Sequence, residues 1–281
     1  MSAVGSTFRL VRRHWRAWVS CLGLGVAAGL IHIGHGMNLR HESEVTGWVL
    51  VVLMVLLTAY NVRKKLDFLR AWFTSRTWLE DHLVLGYLSL GVFFVHAGAG
   101  LPTGYLETLL WLAYLVVAVS GIFGHYISRR FPRLLADRGQ EVIYERVPEF
   151  IREQRLRVEA AVLDAVSGTE DSTSIPEFYE RRLAGFFTGP KNAWSHLRES
   201  RRPLTDLLEG VDALAPFAAI EDKTSLETIR SSIRIKDDLD YHFAHQRLLK
   251  YWLFVHVPLA YCVLLLTVVH VILAYAFGGI P

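Results

Sequence analysis

Two pairs of histidines lie inside apolar stretches of the chain, and the members of each pair are equally spaced. His82 and His96 are fourteen residues apart, and so are His256 and His270. An α-helix turns by about 100° and rises by about 1.5 Å per residue, so the second histidine returns to within about 40° of the first, about 21 Å further along the axis. Two such helices side by side are able to hold two iron porphyrins, one near each face of a membrane.

Histidine inside hydrocarbon is costly and usually has a partner or a function. Iron satisfies this need, because a neutral imidazole gives one ring nitrogen to the metal while the other donates to a backbone carbonyl or a hydroxyl group. Two histidines on each iron leave no coordination position open for oxygen or a substrate, which predicts one-electron transfer. The alternative is four independent histidines packed against polar partners or water.

The composition indicates a membrane protein. Of the 281 residues, 52% are hydrophobic and 12% aromatic, and the mean hydropathy is +0.28, which exceeds the apolar share of a soluble domain and excludes a disordered or fibrous chain. The net charge is +3, and Lys and Arg cluster beside apolar runs, where they indicate membrane topology. We therefore expect membrane lipid as a partner, and no nucleic acid.

The cysteines restrict the kind of cofactor. The chain has two, Cys21 and Cys262, and both lie in apolar segments. The sequence has no CxxC cluster for zinc or an iron–sulfur centre and no CxxCH motif for covalent haem. Any haem is therefore predicted to be non-covalent haem b.

The apolar runs predict an all-α fold, an integral membrane bundle of five transmembrane helices. The predicted spans cover about residues 17–36, 45–62, 81–99, 105–126 and 250–277. Basic residues place the N-terminus, the loop between spans two and three, and the region after span four in the cytoplasm, and the C-terminus outside. Spans three and five then run parallel, which puts His82 level with His256 and His96 level with His270.

The region between spans four and five has mixed charge and predicts a cytoplasmic helical insert. Helices are expected over residues 141–166 and 176–187, with breaks at 167–174, 189–190 and 216. The last helical piece, about residues 224–249, has no breaker before span five and is expected to continue into it.

The predicted domain organisation follows from these elements. It consists of four transmembrane helices in residues 1–126, the insert in residues 127–249, and the fifth helix with a short outer tail in residues 250–281.

The membrane half of the chain resembles the di-haem core of the membrane cytochrome b superfamily. The resemblance rests on the two histidine-bearing helices, WLEDHLVLGYLSLGVFFVH and KYWLFVHVPLAYCVLLLTVVH. Two branches fit, the cytochrome b/b6 core and the ferric-reductase-like transmembrane domain, and ligands on spans three and five are closer to the second. A large insert separates spans four and five, and the sequence has no quinol-oxidising PEWY motif, so the specific activity of neither branch is carried over.

The resemblance and the ligand set imply a di-haem b-type cytochrome subunit of a larger oxidoreductase complex in a prokaryotic cytoplasmic (inner) membrane. Two bis-histidine haems b, with quinone as a further bound cofactor, would carry electrons between the quinone pool and a c-type cytochrome or an iron–sulfur partner. Two alternatives stay open. One is a self-contained transmembrane reductase of metal ions or oxygen, and the other is a haem-free membrane scaffold or transporter subunit.

Other histidines compete with this assignment. His32 and His35 lie three residues apart near the outer end of span one, and His125 lies at the inner end of span four. Each could replace an assigned ligand, hold a third haem, carry protons to a quinone, or pack at the membrane interface. His242 and His245 are also three apart, and a solvated face or a contact with the insert is expected there in preference to metal binding.

Two further groups of residues would assist haem binding. Haem propionates need cations, and the cytoplasmic candidates are Arg76, Arg129, Arg130, Arg133, Arg247 and Lys250. Gly86 and Gly91 lie between the ligands of span three and would let a flat porphyrin approach the backbone closely.

Overall fold

The structure, a computed structural model, describes residues 39–62, 75–98, 101–138, 142–168, 174–217 and 222–277. All regular elements in these ranges are helical, which confirms the all-α prediction for the described part of the chain. The helices are α1 Leu39–Val62, α2 Ser75–Ala97, α3 Tyr105–Ala136, α4 Val147–Gly168, α5 Ser174–Phe178, α6 Ala184–Phe187, α7 Ala193–Leu197, α8 Arg202–Leu214 and α9 Asp222–Phe277. Short 3-10 turns precede α4 and follow α8, and a π-helical turn joins α5 to α6.

Three of these helices are long and apolar enough to cross a membrane. They contain the stretches Trp78–Ala97, Tyr105–Ala136 and Lys223–Phe277, and α1 contains a shorter apolar stretch, Glu44–Ala59. The first predicted span, residues 17–36, lies outside the described residues. The structure therefore supports a membrane protein with three candidate spans, and the count of five stays a prediction.

Helix α3 extends further than its apolar run suggested. The predicted span ends near Tyr126, and the helix continues beyond it through Pro132 to Ala136. Ile127, Phe131 and Leu135 follow one another at intervals of four residues and are all buried. This apolar face packs beyond the span and holds the helix together past the point at which hydropathy falls.

The predicted continuity of the last helix is confirmed. Helix α9 runs for 56 residues from Asp222 to Phe277, with Pro258 inside it. Its first half carries charged residues and its second half, after Lys250, is apolar.

The helices of the insert follow the predicted breaks, with one correction. The first begins at Val147 and not at residue 141, after a 3-10 turn at Tyr144–Arg146. Pro148 explains this start, since proline fits the first turn of a helix but interrupts the interior. The helical run that starts at Ser174 ends at Phe187, just before the predicted break at Gly189 and Pro190.

The chain divides into two compact units. The first combines Met1–His125 with Phe254–Pro281, and the second is Tyr126–Leu253. These divisions, like the predicted boundaries at residues 126 and 249, fall inside continuous helices. In the described part of the first unit, α1 and α2 are the most closely packed pair of long helices. Phe93 and Tyr114 stack in its core, with ring centroids 4.1 Å apart.

The second unit has its own apolar core. Helices α4, α6, α8 and the first half of α9 contribute to it, and its fully buried residues include Val158, Leu183, Phe187, Ile229 and Ile233. This core shows that the insert packs as a unit of its own.

Candidate functional site

His96 lies near the C-terminal end of α2, and α1 positions its ring. The Nδ1 atom of His96 is 3.1 Å from the hydroxyl oxygen of Thr46. The adjacent Gly47 leaves room for the ring, because a Cβ atom there would lie 3.1 Å from Cε1 of His96. A threonine and a glycine on α1 therefore fix the orientation of one predicted ligand.

His256 has the same kind of environment on α9, provided here by α3. Its Nδ1 atom lies 3.1 Å from the hydroxyl oxygen of Ser120. A Cβ atom on the neighbouring Gly121 would lie 3.6 Å from Cε1 of the ring. The hydroxyl group of Ser120 therefore orients the imidazole, and a side chain at Gly121 would make only an ordinary van der Waals contact with it.

His82 contacts the backbone of α1. Its ring interacts with the carbonyl group of Leu57, and it lies near enough to His256 for the two imidazoles to interact electrostatically. The two imidazoles are thus within electrostatic range of each other, and their binding to one iron stays a prediction.

His270 is half-buried on α9, one turn after the buried Thr267. Among the described residues its ring has no hydrogen-bond partner. The pairing of His270 with His96 stays a prediction.

Four interhelical contacts establish which helices are neighbours. They join Thr46 of α1 to His96 of α2, Met54 of α1 to Thr267 of α9, Ser89 of α2 to Tyr114 of α3, and Ser120 of α3 to His256 of α9. Helices α1 and α3 each touch both histidine-bearing helices, so α2 and α9 face each other across the bundle. This is the arrangement required for ligands that approach a flat group from two sides.

The residue types present fit a haem group. A metal-bound histidine usually donates its second ring N–H to a polar group nearby, and the hydroxyl groups of Thr46 and Ser120 are placed to accept from Nδ1 of His96 and His256. Gly86 is one turn after His82, and among the described residues a Cβ atom there would meet nothing within 4 Å. Gly91, by contrast, is exposed, and about 100° per residue places it on the side of α2 opposite the histidines. Only Gly86 is thus placed to admit a porphyrin.

An apolar groove that is open to the surroundings runs along one side of α3, lined by Leu115, Val116, Val119, Ser120 and Phe123. All five residues belong to one helix, and Val116, Val119 and Phe123 are exposed. The groove does not by itself indicate a cofactor site. The described residues include no cluster of three or more His, Cys, Asp or Glu side chains that could hold a metal ion. A bis-histidine site needs two ligands, so this finding does not bear on it.

The competing histidines of the bundle have other surroundings. The Nδ1 atom of His125 lies 2.9 Å from the hydroxyl group of Tyr87. His32 and His35 lie outside the described residues. The roles considered for these three histidines remain predictions.

His242 and His245 are both buried, so the expectation of a solvated face is wrong and the alternative, a contact with the insert, is confirmed. The Nδ1 atom of His245 lies 2.9 Å from the Tyr241 carbonyl oxygen, and its ring meets the ring of Phe131 edge-on. Burial lowers the pKa of His245, so the neutral form predominates at neutral pH.

Two of the cations proposed for the propionates are paired with carboxylates of the insert. Arg130 donates to Glu199 at 2.7 Å, and Lys250 pairs with Glu145. The side chain of Arg76 lies outside the described residues.

The sequence analysis missed a buried polar cluster in the second unit. Lys236 and Asp240 are fully buried and form an ion pair at 2.5 Å, while Arg138 donates to Asp237 at 3.3 Å. Burial raises the pKa of Asp240 to about 7. The charged run IKDDLDYH was the available signal, since charges on every side of a helix cannot all face water.

Thr46 and Ser120 were also missed. Both are polar residues in apolar runs, which was the available signal, but their pairing with particular histidines depends on which helix faces meet.

Comparisons with known proteins identified no relative of this chain. No protein-family model matches the chain, and no curated protein or solved structure matches it. The functional argument therefore rests on the residues themselves.

Proposed function

We propose that the protein is a di-haem b-type cytochrome subunit that carries electrons across a membrane, between the quinone pool and a c-type cytochrome or iron–sulfur partner. The observation that carries the proposal is the surroundings of three of the four proposed ligands. The rings of His82, His96 and His256 each meet a carbonyl or hydroxyl group from a neighbouring helix. Such partners orient imidazoles for a metal.

The exposed aromatic residues of α3 support a transmembrane position. Tyr105 and Tyr126 are 92% and 57% exposed, and their separation corresponds to about 31 Å of helix. The hydrocarbon core of a bilayer is about 30 Å thick, and tyrosines concentrate at both of its edges. We place the insert and the N-terminus in the cytoplasm of a prokaryotic cell and the end of α9 outside, following the basic residues.

In the proposed complex His82 and His256 hold the inner haem b, and His96 and His270 hold the outer one. Ser120 and Thr46 accept hydrogen bonds from Nδ1 of His256 and His96, which leaves Nε2 as the ligating atom. The haems would supply one-electron transfer, because two histidines fill both axial positions. Donor and acceptor must then come from quinone and from partner subunits of a larger complex.

The first test is haem extraction from the purified chain with a reduced-minus-oxidised spectrum. We expect two haems b per chain and a b-type α-band. Absence of the band would refute the proposal and favour a haem-free scaffold or transporter subunit.

The second test assigns the ligands. We expect His256→Ala to remove the inner haem and His270→Ala to remove the outer one, as followed by electron paramagnetic resonance. His125→Ala is the matched control and should retain both haems. If either ligand variant kept two bis-histidine signals, the pairing would be wrong.

A further inference from the structure

A short segment of the insert combines exposed aromatic and basic side chains. We call residues 188–202 the α7 segment, because it contains the helix Ala193–Leu197. Asn192 and Glu199 flank this helix, and both have φ of 56°. His196 anchors the segment, since its side chain is buried and meets the ring of Tyr241 edge-on. The conformation of the segment is therefore defined by its packing.

The exposed surface of the α7 segment consists of one aromatic side chain with basic side chains around it. Trp194 is 75% exposed, and the guanidinium group of Arg198 lies 5.9 Å from the centre of its ring. The basic residues of the segment are all exposed: Lys191, Arg198, Arg201 and Arg202. Its one acidic residue, Glu199, is already paired. The surface thus has excess positive charge beside an exposed indole.

The partner of Glu199 shows where this surface lies along α3. Glu199 accepts a hydrogen bond from Arg130 at 2.7 Å, and the guanidinium group of Arg130 is 5.9 Å from the ring centre of Tyr126. Tyr126 is exposed and ends the apolar run of α3. Exposed tyrosines at the end of a span lie at the level of the lipid headgroups. The α7 segment is therefore held beside the headgroup region.

We propose that the α7 segment binds anionic phospholipid headgroups at the cytoplasmic membrane surface, with Trp194 among the headgroups and Arg198 and Arg201 on their phosphates. Charge complementarity selects this occupant, because the cytoplasmic leaflet is anionic and attracts basic residues close to it. Arginine forms paired hydrogen bonds with phosphate, and tryptophan is enriched at the membrane interface. This site is independent of any haem.

Hydrogen–deuterium exchange of the full-length protein in lipid nanodiscs tests the proposal. The protein is placed in phosphatidylcholine alone or in phosphatidylcholine mixed with phosphatidylglycerol, and exchange is followed in peptides covering residues 190–202. We expect at least about fivefold slower exchange in the anionic discs, the effect of one basic residue near an anionic surface. Added salt should abolish the difference, because it screens charges at the surface.

Two variants decide whether the effect belongs to this surface. The double variant Arg198→Gln and Arg201→Gln should lose the protection. The matched control, Arg152→Gln and Arg157→Gln, removes two exposed charges from α4 and should keep it. Equal exchange of the wild-type segment in both lipids would overturn the proposal, as would equal loss in the control. If the segment bound an acidic protein and not lipid, the wild-type segment would exchange equally in both lipids.

Discussion

Replacement of His196 by glutamine should remove an acid-sensitive element from the insert. His196 lies on α7 with 3% of its surface exposed, and its Nε2 atom is 3.8 Å from a carboxylate oxygen of Asp237. Among the described residues, Nε2 has no hydrogen-bond partner. Burial, followed by the positive charges of Arg138 and Lys236, lowers the pKa of His196 from 6.5 to about 4. The folded protein thus holds this imidazole in its neutral form.

The sign and size of the effect follow from this pKa. A group whose pKa is lower in the folded state contributes stability that is complete above the unfolded pKa and is lost as pH falls towards the folded one. For His196 this stability is lost as the pH falls from 6.5 to about 4. Between about pH 8 and about pH 5 the loss amounts to about 2 kcal/mol, or about thirtyfold in the local opening equilibrium.

Native-state hydrogen exchange of the amides in α7, corrected for intrinsic exchange rates, measures this local opening. Burial raises the pKa of Asp237 and of Asp240, so these carboxyl groups stabilise the fold as pH falls and oppose His196. The quantity to compare is therefore the pH dependence of the local opening equilibrium in the wild type minus that in the His196→Gln variant. We expect about a thirtyfold difference. Equal pH dependence in the wild type and His196→Gln would refute the reasoning.

Two further substitutions test contacts inside the helical bundle. Thr46→Ala removes the hydroxyl partner of His96, and we expect about 10- to 100-fold weaker binding of the outer haem in titrations of the apoprotein. Thr58→Ala is the matched control on the same helix, since Thr58 bonds only to a carbonyl of α1, and should leave the affinity unchanged. Tyr114→Phe removes a buried hydrogen bond to Ser89 and should lower the unfolding free energy by about 0.6 kcal/mol. A loss above about 2 kcal/mol in unfolding titrations would contradict that estimate.

The sequence predicts the helices where a local pattern determines them. The continuity of α9 follows from the absence of a breaker between residues 224 and 249, and the break near Gly189 follows from a glycine beside a proline. The same patterns do not predict that α3 continues past its apolar run or that α4 begins only at Val147. The end of α3 depends on burial of Phe131 against other elements, which is a tertiary effect. The start of α4 depends on Pro148, which lies inside the predicted helix over residues 141–166.

The sequence predicts candidate ligands but not the residues that contact them. Spacing places His82 and His96 on one face of α2, and His256 and His270 on one face of α9, because helical periodicity is a local property. The choice of Ser120 as the partner of His256 depends on which faces of α3 and α9 meet, and no spacing within either helix contains that information. Burial of His242 has the same origin, since the surface that covers it is distant in sequence.

The helices that carry the proposed ligands are different from the helices that orient those ligands. His96 on α2 is oriented by Thr46 of α1, and His256 on α9 is oriented by Ser120 of α3. Both contacts are made at Nδ1, and in both the orienting residue lies on a helix that carries none of the proposed ligands. In the proposed cytochrome these hydrogen bonds would order the imidazoles for a haem, so that less conformational entropy would be lost on binding. Substitutions on α1 and α3 should therefore alter haem affinity without removing a ligand.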